Sequence, residues 1–281
     1  MKNQGRCLCG SLTWEISAEP FYAFNCHCKM CQKAHGTAFG TYWFVKPEQF
    51  HWTSDTDTLV QYGSSKELLR SSCDTCGSVV PYGGGSSGFW VAPGGCHDDG
   101  RGSDYDIFVV DSSPWHDLTG NLPRHDAYPP ETGFPSFPNP PAAKPVDGAV
   151  RGGCMCGAVG YLVTEPMKTA YYCHCSRCRQ GRAAPFASNG FTSLDGVTFT
   201  KGEDNLKSYK VPGAKHFTQV FCKTCSALMP RRDTERGVTV IPLGSLDDDP
   251  GFKPVAQIFT ADKCKWHEIT GPLPRFEAGP G

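Results

Sequence analysis

Short segments in which apolar and polar residues alternate recur along the chain. Leu12–Ile16 and Val159–Val163 show this alternation, which is typical of a strand with one buried face. Other segments are rich in β-branched and aromatic residues, which favour strands: Thr41–Val45, Ile107–Val110 and Val238–Ile241. Glycine and proline interrupt the pattern about every 8–12 residues, the spacing of small all-β domains. Helix signals are weak, and we expect only a short turn after Cys31 and after Cys178. The pattern predicts an all-β protein built from antiparallel sheets.

Five sequence motifs occur twice in the same order. They are C-x-C, C-H-C-x-x-C, C-x-x-C, W-H followed by an acidic residue, and L-P-R. In the first copy they begin at Cys7, Cys26, Cys73, Trp115 and Leu122, and in the second at Cys154, Cys173, Cys222, Trp266 and Leu273. The separation of equivalent residues rises only from 147 to 151 positions, so order and spacing indicate a tandem duplication. We therefore predict two small antiparallel β domains, copy one over residues 1–125 and copy two over residues 150–281.

The segment between the copies, Asp126–Ala149, is rich in proline. Seven of its 24 residues are proline, which favours extended backbone and predicts a semi-rigid linker. The alternative is a loop that packs along both domains. Phe134 and Phe137 favour that alternative, because aromatic residues are scarce in free linkers.

Composition limits the possible classes of function. Hydrophobic residues make up 39% of the 281 residues, which is enough for a core in each of two domains. The formal net charge is −1 and the longest basic cluster is Arg231–Arg232, which argues against a nucleic-acid-binding surface. No run of about 18 apolar residues predicts a membrane span. The N-terminal residues include no apolar signal segment, so we expect a cytoplasmic protein.

Cysteine is the unusual residue type, because 14 of the 16 cysteines lie in the repeated motifs. A secreted disulfide scaffold needs a signal peptide, and C-x-C or C-x-x-C pairs would close very small, strained disulfide loops. Clustered thiols in a reducing compartment are typical metal ligands, so we expect metal sites rather than disulfides. Fourteen thiolates with four zinc ions would bring the formal charge from −1 to about −7, which further disfavours nucleic acid.

The first and third cysteine motifs of each copy together supply four thiolates. Four thiolates form a closed tetrahedral zinc site that stabilises the fold. The predicted ligands are Cys7, Cys9, Cys73 and Cys76 in copy one, and Cys154, Cys156, Cys222 and Cys225 in copy two. Binding at such a site contributes about 10–16 kcal/mol, more than the net stability of a small domain.

The middle motif of each copy supplies only three thiolates. They are Cys26, Cys28 and Cys31 in copy one, and Cys173, Cys175 and Cys178 in copy two. Three protein ligands leave one tetrahedral position open, as in a catalytic zinc site. A substrate thiolate suits that position. We therefore predict four zinc ions per chain, with these six cysteines forming two reaction centres.

A fourth protein ligand would make the middle sites inert. Cys96, His97 and Cys264 have no equivalent in the other copy, so none is expected to close both sites, although Cys96 or His97 could close the first. His27 and His174 lie between two ligands and are expected to point away from the metal. The W-H pairs are expected to pack at strand ends rather than to take part in chemistry.

The motif set G-x-C-x-C-G, C-H-C-x-x-C and C-x-x-C, with W and L-P near the end of each copy, resembles the glutathione-dependent formaldehyde-activating enzyme family, which includes centromere protein V. The resemblance covers nearly all of both copies and omits the linker. It implies a β-tent fold, a structural zinc on the four-cysteine set and a reactive zinc on the three-cysteine set. It also implies a carbon–sulfur lyase, with S-(hydroxymethyl)glutathione formed from glutathione and formaldehyde.

The two copies differ at positions that follow the cysteine motifs. Copy one keeps Gly36 after its middle motif and Gly77 after its C-x-x-C motif. Copy two places Arg182 and Pro185 after its middle motif and has Ser226 in place of the second glycine. Because glycine permits close backbone approaches that other residues do not, we expect copy one to carry more of the activity.

The expected function is enzymatic. A small-molecule thiol, glutathione or one of its conjugates, would bind beside the open zinc while a C–S bond to an aldehyde or another electrophile forms or breaks. The alternatives are a non-catalytic zinc-binding module for protein interaction, and one catalytic copy with one scaffold copy. An aromatic pocket beside the open zinc would favour the enzyme. Its candidate residues are Phe24, Phe39, Tyr42 and Trp43, although core packing is the commoner fate of such side chains.

Overall fold

The computed structural model describes residues 3–66, 68–135 and 148–280. Short strands dominate the described residues, and the two helices are α1 (Lys29–His35) and α2 (Ser176–Arg182). The strands of copy one are β1 (Asn3–Arg6), β2 (Thr13–Ile16), β3 (Tyr22–Cys26), β4 (Gly40–Val45), β5 (Phe50–Trp52), β6 (Leu59–Gly63), β7 (Leu69–Cys73), β8 (Val79–Val80), β9 (Tyr82–Gly83), β10 (Trp90–Pro93), β11 (Tyr105–Ile107) and β12 (Arg124–His125). Those of copy two are β13 (Val150–Gly153), β14 (Gly160–Val163), β15 (Thr169–Cys173), β16 (Ala187–Ser193), β17 (Val197–Lys201), β18 (Leu206–Lys210), β19 (Thr218–Cys222), β20 (Arg231–Asp233), β21 (Val238–Pro242) and β22 (Ala256–Ile258). No helix in the described residues has the length and apolar character needed to cross a membrane.

The same set of sheets is built twice. In copy one the sheets have the strand orders β1-β2-β5, β12-β11-β3-β4-β10-β9 and β6-β7-β8. In copy two the orders are β13-β14-β17, β20-β21-β16-β15-β22 and β18-β19. Most pairs are antiparallel, and the all-β prediction is confirmed. The exceptions lie toward one edge of each large sheet, where β11 runs parallel to both β3 and β12, and β22 runs parallel to β15. The partners β3 and β11, like β15 and β22, are separated by most of a copy in sequence, so no hairpin dictates their direction.

Two predicted elements differ from those observed. The strand expected over Ile107–Val110 ends at Ile107, because Phe108 takes a left-handed conformation with φ 58° and a 3-10 turn follows at Val109–Asp111. The turns expected after Cys31 and Cys178 are α-helices that begin before those cysteines and contain them.

The two copies pack against each other through equivalent surfaces. Helix α1 contacts the 3-10 turn Leu243–Ser245 of copy two, and α2 contacts the turn Gly94–Cys96 of copy one. The closest approaches occur at two equivalent glycines. A Cβ placed on Gly95 would lie 2.0 Å from the backbone nitrogen of Ala184, and one on Gly244 would lie 2.4 Å from the carbonyl oxygen of Gln32. Glycine at these positions allows the two backbones to touch.

The tryptophan of each W-H pair packs into the opposite copy. Trp115 is 2% exposed and belongs to the same buried cluster as Tyr161 and Met229 of copy two. Trp266 packs edge-on against Trp43 of copy one at 5.4 Å and donates its indole N–H to the carbonyl of His97 at 3.2 Å. These residues do pack, as expected, but they lie in turns at the interface between copies rather than at strand ends.

The described part of the predicted linker is a packed segment. Phe134 stacks on Phe44 at 5.2 Å, and Tyr128 packs against Phe24 and Phe108 at 6.0 and 5.2 Å. Residues 126–135 therefore lie against copy one, which is closer to the packed-loop alternative. Phe137 lies outside the described residues, and the domain boundaries stay a prediction.

Candidate metal centres

Each four-cysteine set is brought together by one strand end and one tight turn. The C-x-C motif follows β1 or β13, and the C-x-x-C motif begins at the last residue of β7 or β19. All four sulfur atoms of each set lie within 4.8 Å of one another. The Sγ–Sγ distances are 3.5 Å for Cys7–Cys9, 3.6 Å for Cys9–Cys73, 3.4 Å for Cys154–Cys156 and 3.7 Å for Cys156–Cys222. A tetrahedral site with Zn–S bonds of about 2.3 Å needs sulfur atoms about 3.8 Å apart. Both sets therefore fit a tetrahedral zinc ion.

Hydrogen-bond donors around these sets favour ionised sulfur. The Leu12 backbone N–H donates to Cys7 Sγ at 3.4 Å, and the Val159 N–H donates to Cys154 Sγ at 3.2 Å. Hydrogen bonds among the cysteines hold the pKa of Cys73 well below its ordinary value and those of Cys7 and Cys76 above theirs, so the set favours the first thiolate at Cys73. Metal ligation requires thiolates, so this environment is suited to it.

Each three-cysteine set lies where an inner strand of the large sheet passes into a helix. Its first cysteine is the last residue of β3 or β15, and its third lies in the first turn of α1 or α2. The sulfur atoms of each set lie within 4.8 Å of one another. The neighbouring parallel strand fixes the motif, because the N–H groups of His27 and His174 donate to the carbonyls of Ile107 and Ile258, both at 3.0 Å. The structure thus groups the fourteen cysteines singled out from the sequence into four separate sets, two of four and two of three.

No fourth cysteine, histidine or carboxylate completes either three-cysteine set within the described ranges. Cys96 is buried in the core and directs its thiol at the carbonyl of Val79, 3.8 Å away. His97 Nε2 accepts from the indole N–H of Trp14 at 2.8 Å. Cys264 is also buried, and burial raises its pKa to about 11. These residues therefore serve the core, and the fourth position stays open to a ligand.

The histidines between the ligands bond to the adjacent parallel strand. His27 Nε2 lies 3.3 Å from Asp106 Oδ1, and His174 Nε2 lies 2.7 Å from Gln257 Oε1. Both rings are fully buried, and each stacks on the histidine of a W-H pair. Neither belongs to a metal-ligand set, as expected from the sequence.

The cavity beside the copy-one set is small and mainly aromatic. Its volume is about 140 Å³. The aromatic side chains that line it are Phe24, Tyr42, Phe44, Tyr82, Phe108 and Tyr128. Two of the four aromatic residues suggested from the sequence are thus in place. The other two lie elsewhere, since Phe39 packs on Phe186 at 5.3 Å and Trp43 packs on His97 at 4.9 Å.

Arg70 supplies the positive charge of the copy-one cavity, and its sequence context gives no signal of this role. The side chain is only 4% exposed. It donates to Cys31 Sγ at 3.5 Å, to the Tyr42 hydroxyl at 2.9 Å and to Ser64 Oγ at 3.2 Å. Hydrogen bonds from Cys26 and Cys28, together with this guanidinium, hold the pKa of Cys31 well below its ordinary value. All three nitrogen atoms of Arg70 are therefore already engaged.

The pocket beside the copy-two set is larger and basic. Its volume is about 580 Å³. Five basic side chains and one carboxylate line it: Arg177, Arg182, Lys215, Arg231, Arg236 and Asp262. Arg182 donates to Asn189 Oδ1 at 2.9 Å and forms no ion pair with a carboxylate of the described residues. Burial lowers its pKa to about 10, so its guanidinium stays charged near neutral pH. The copy-two pocket thus contains a positively charged guanidinium, that of Arg182, which could pair with the carboxylate of a bound ligand.

The glycine differences between the copies do not change the backbone around the sulfur atoms. Gly36 and its equivalent Ala183 both end their helices in a left-handed conformation, with φ 60° and 52°. Gly77 and its equivalent Ser226 are also both left-handed, with φ 73° and 56°. A Cβ on Gly77 would lie 2.5 Å from the ring of Phe221. Glycine is thus needed there for packing against the other copy.

Comparison with known proteins identifies the family. The model of the family described as glutathione-dependent formaldehyde-activating enzyme matches residues 2–110 and 149–262. A crystal structure of a Rhodobacter sphaeroides protein from a structural genomics programme is 27% identical over 37% of this chain and 97% of its own, with a TM-score of 0.30. No curated protein matches the chain significantly. The two family matches cover most of the sequence and coincide with the two cysteine-rich copies, and the chain therefore belongs to the glutathione-dependent formaldehyde-activating enzyme family, with the family domain present twice.

Proposed function

We propose that the protein is a zinc-dependent carbon–sulfur lyase that acts on glutathione or a glutathione conjugate, and that copy two is its main reaction centre. The observation that carries this proposal is the copy-two pocket, where three clustered sulfur atoms lie beside five basic side chains. Glutathione has one thiol and two carboxylates, so a metal site with adjacent guanidinium groups matches its chemistry. Membership of the family supports the same substrate and an aldehyde such as formaldehyde as its partner.

The role of the metal is limited and specific. Zinc held by three thiolates supplies a Lewis acid with one open position, which favours the ionised form of a thiol. Cys175 is suited to ligation, because hydrogen bonds from the Cys173 and Cys178 thiols lower its pKa to about 3. The backbone N–H of Cys178 also donates to Cys175 Sγ at 3.4 Å.

The side chains around the pocket would orient the rest of the substrate. Arg182 would bind one carboxylate through charge-assisted hydrogen bonds, and Arg231, whose Nη1 also pairs with Asp233 at 3.2 Å, would use its remaining N–H donors for the other. Phe259 lines the same pocket and has a left-handed conformation with φ 55°. A pocket of about 580 Å³ is within the usual range for a ligand of this size.

Copy two is preferred over copy one for two reasons. The glycines that favoured copy one in the sequence have left-handed equivalents in copy two, so they give no advantage in backbone geometry. The copy-one cavity has about a quarter of the volume and is lined by one guanidinium, whereas four guanidinium groups line the copy-two pocket. We therefore propose one main catalytic copy, but we assign this role to copy two rather than to copy one.

A pair of equivalent variants tests the assignment. Zinc-loaded Cys175→Ser and Cys28→Ser proteins would be compared by exchange NMR, which measures the rate of S-(hydroxymethyl)glutathione formation and breakdown above the uncatalysed rate. We expect Cys175→Ser to lose most of the catalysed exchange and Cys28→Ser to keep most of it. The opposite result would assign the reaction to copy one, and full activity in the double variant Cys28→Ser/Cys175→Ser would refute a role for the three-cysteine sites.

A further inference from the structure

Equivalent positions around the two three-cysteine sets carry side chains of different chemistry. Strand register defines these positions, since Tyr82 pairs with Val91 as Arg231 pairs with Val240, and Tyr42 faces Pro93 as Asn189 faces Pro242. Tyr82 in copy one is thus Arg231 in copy two, and Tyr42 is Asn189. At the helix start, Met30 is likewise replaced by Arg177.

Each of these differences makes the copy-one cavity less polar. Burial raises the pKa of Tyr82 and of Tyr42 above the ordinary phenol value, so both are uncharged. Arg70 is the one charged side chain, apart from the cysteines, among the described residues that line the cavity. Arg70 uses three of its five N–H donors on Cys31, Tyr42 and Ser64, so only a minority of its donors remain for a substrate carboxylate.

The segment after copy one also makes this cavity smaller. Tyr128 lines the cavity and packs on Phe24 and Phe108. Phe134 supports it from the other side, with ring centroids 5.3 Å apart. A cavity of about 150 Å³ holds a molecule of about six heavy atoms, such as benzene, and this one has a volume of about 140 Å³.

We infer that the three-cysteine site of copy one is a second ligand site with its own selectivity, which accepts a small uncharged thiol and excludes glutathione. The inference depends on the proposal that the three-cysteine sets hold zinc with an open position. It adds that the duplication has separated two thiol-binding sites by charge and size. Glutathione carries two carboxylates, and the single guanidinium that lines the copy-one cavity cannot pair with both, so burying the second carboxylate there would be strongly unfavourable.

Binding measurements on single-site proteins test the inference independently of turnover. Zinc-loaded Cys175→Ser keeps the copy-one set intact, and Cys28→Ser keeps the copy-two set intact. Each would be titrated by calorimetry with ethanethiol and with glutathione. We expect Cys175→Ser to bind ethanethiol at least about tenfold more tightly than glutathione, and Cys28→Ser to reverse that order.

Variants in the cavity beside the intact set separate the effect of cavity size from the effect of cavity charge. Tyr128→Ala in the Cys175→Ser background should admit the larger uncharged 2-phenylethanethiol while still excluding glutathione. Arg231→Tyr, which introduces the copy-one residue into copy two, should weaken glutathione binding by about ten- to a hundredfold. Arg232→Tyr is the matched control, because Arg232 is the next residue on β20 and pairs with Glu203 outside the pocket.

The outcomes distinguish the two proposals. Equal glutathione affinity in Cys175→Ser and Cys28→Ser would overturn the selectivity of copy one while leaving the proposed function in place. Failure of glutathione to bind Cys28→Ser, with Arg231→Tyr equal to the parent, would overturn the proposed function. Absence of ethanethiol binding in Cys175→Ser, with its metal content intact, would show that copy one is not a ligand site.

Discussion

The contact between the two copies can be tested at a single atom. Gly95 and Gly244 occupy equivalent positions in the two interface turns, and neither has a left-handed backbone. Alanine can therefore adopt the backbone conformation at both positions, so Gly95→Ala or Gly244→Ala adds only one methyl group. That group meets backbone atoms of the opposite copy rather than flexible side chains.

The expected magnitude follows from the distances. The new Cβ would lie 2.0 Å from Ala184 at Gly95, and 2.4 Å from Gln32 and Thr37 at Gly244. Ordinary contact is about 3.5 Å, so the backbones must separate locally by about 1–1.5 Å, and a gap of 0.5–1 Å already removes a quarter to a half of the dispersion energy. Overpacking usually costs about 1–3 kcal/mol. Because a second folded core must move, we expect about 3 kcal/mol and a fall in Tm of about 6 °C or more.

Denaturant unfolding of zinc-loaded protein would measure this change. Gly63→Ala is the matched control, because Gly63 lies on exposed β6, has no left-handed φ and would place its Cβ 3.8 Å from the nearest atoms. The control should stay within about 0.5 kcal/mol of the parent. If Gly95→Ala and Gly244→Ala also stayed within that limit, the close packing of the two copies would be refuted.

Three further predictions concern the metal sites and Trp115, whose ring packs into the opposite copy. Metal analysis with thiol titration should find about four zinc ions per chain; a value near two with free middle-motif thiols would contradict the open sites. Cys73→Ser should unfold or strongly destabilise the protein, because it removes a ligand of a closed site, whereas Cys175→Ser should leave the circular dichroism melt nearly unchanged; equal destabilisation would mean that the middle set is structural. Trp115→Ala should lower the free energy of unfolding by about 3–5 kcal/mol. It should also increase hydrogen exchange in copy two, because the ring packs into the core of that copy. A change in exchange confined to copy one would argue against this packing across the interface.

Because of this interface, the two copies of the duplication are parts of one folded unit. Residues of each copy complete the core of the other, so the copies are expected to unfold together rather than as independent domains. The histidine and arginine after the middle motifs also lie on this interface. His35 Nδ1 lies 2.6 Å from the carbonyl of Arg182 and its Nε2 lies 2.6 Å from the Tyr42 hydroxyl. Because burial lowers the pKa of His35 to about 4, the ring is neutral near neutral pH, and it donates to Arg182 and accepts from Tyr42.

Much of the site could be predicted from the sequence because its chemistry is local. Thiol spacing such as C-x-C and C-x-x-C can be read from the chain, and the repeat shows which distant motifs belong together. All fourteen cysteines predicted as ligands are therefore grouped as expected. The strands Thr41–Val45 and Val238–Ile241 could also be predicted from the sequence, because their β-branched and aromatic composition is a property of adjacent residues.

Only the tertiary structure decided which side chains surround the three-cysteine sets. In copy one, Arg70 and Tyr82 reach the cavity beside the three-cysteine set from strands that are distant in sequence. Tyr128 reaches the same cavity from the segment that follows copy one. Arg231 belongs to the basic pair visible in the sequence, but strand alternation turns it into the pocket and turns Arg232 outward. A sequence pattern specifies which residues are adjacent along the chain. It does not specify the register of strands that are far apart in sequence, and that register gives the two sites different size and charge.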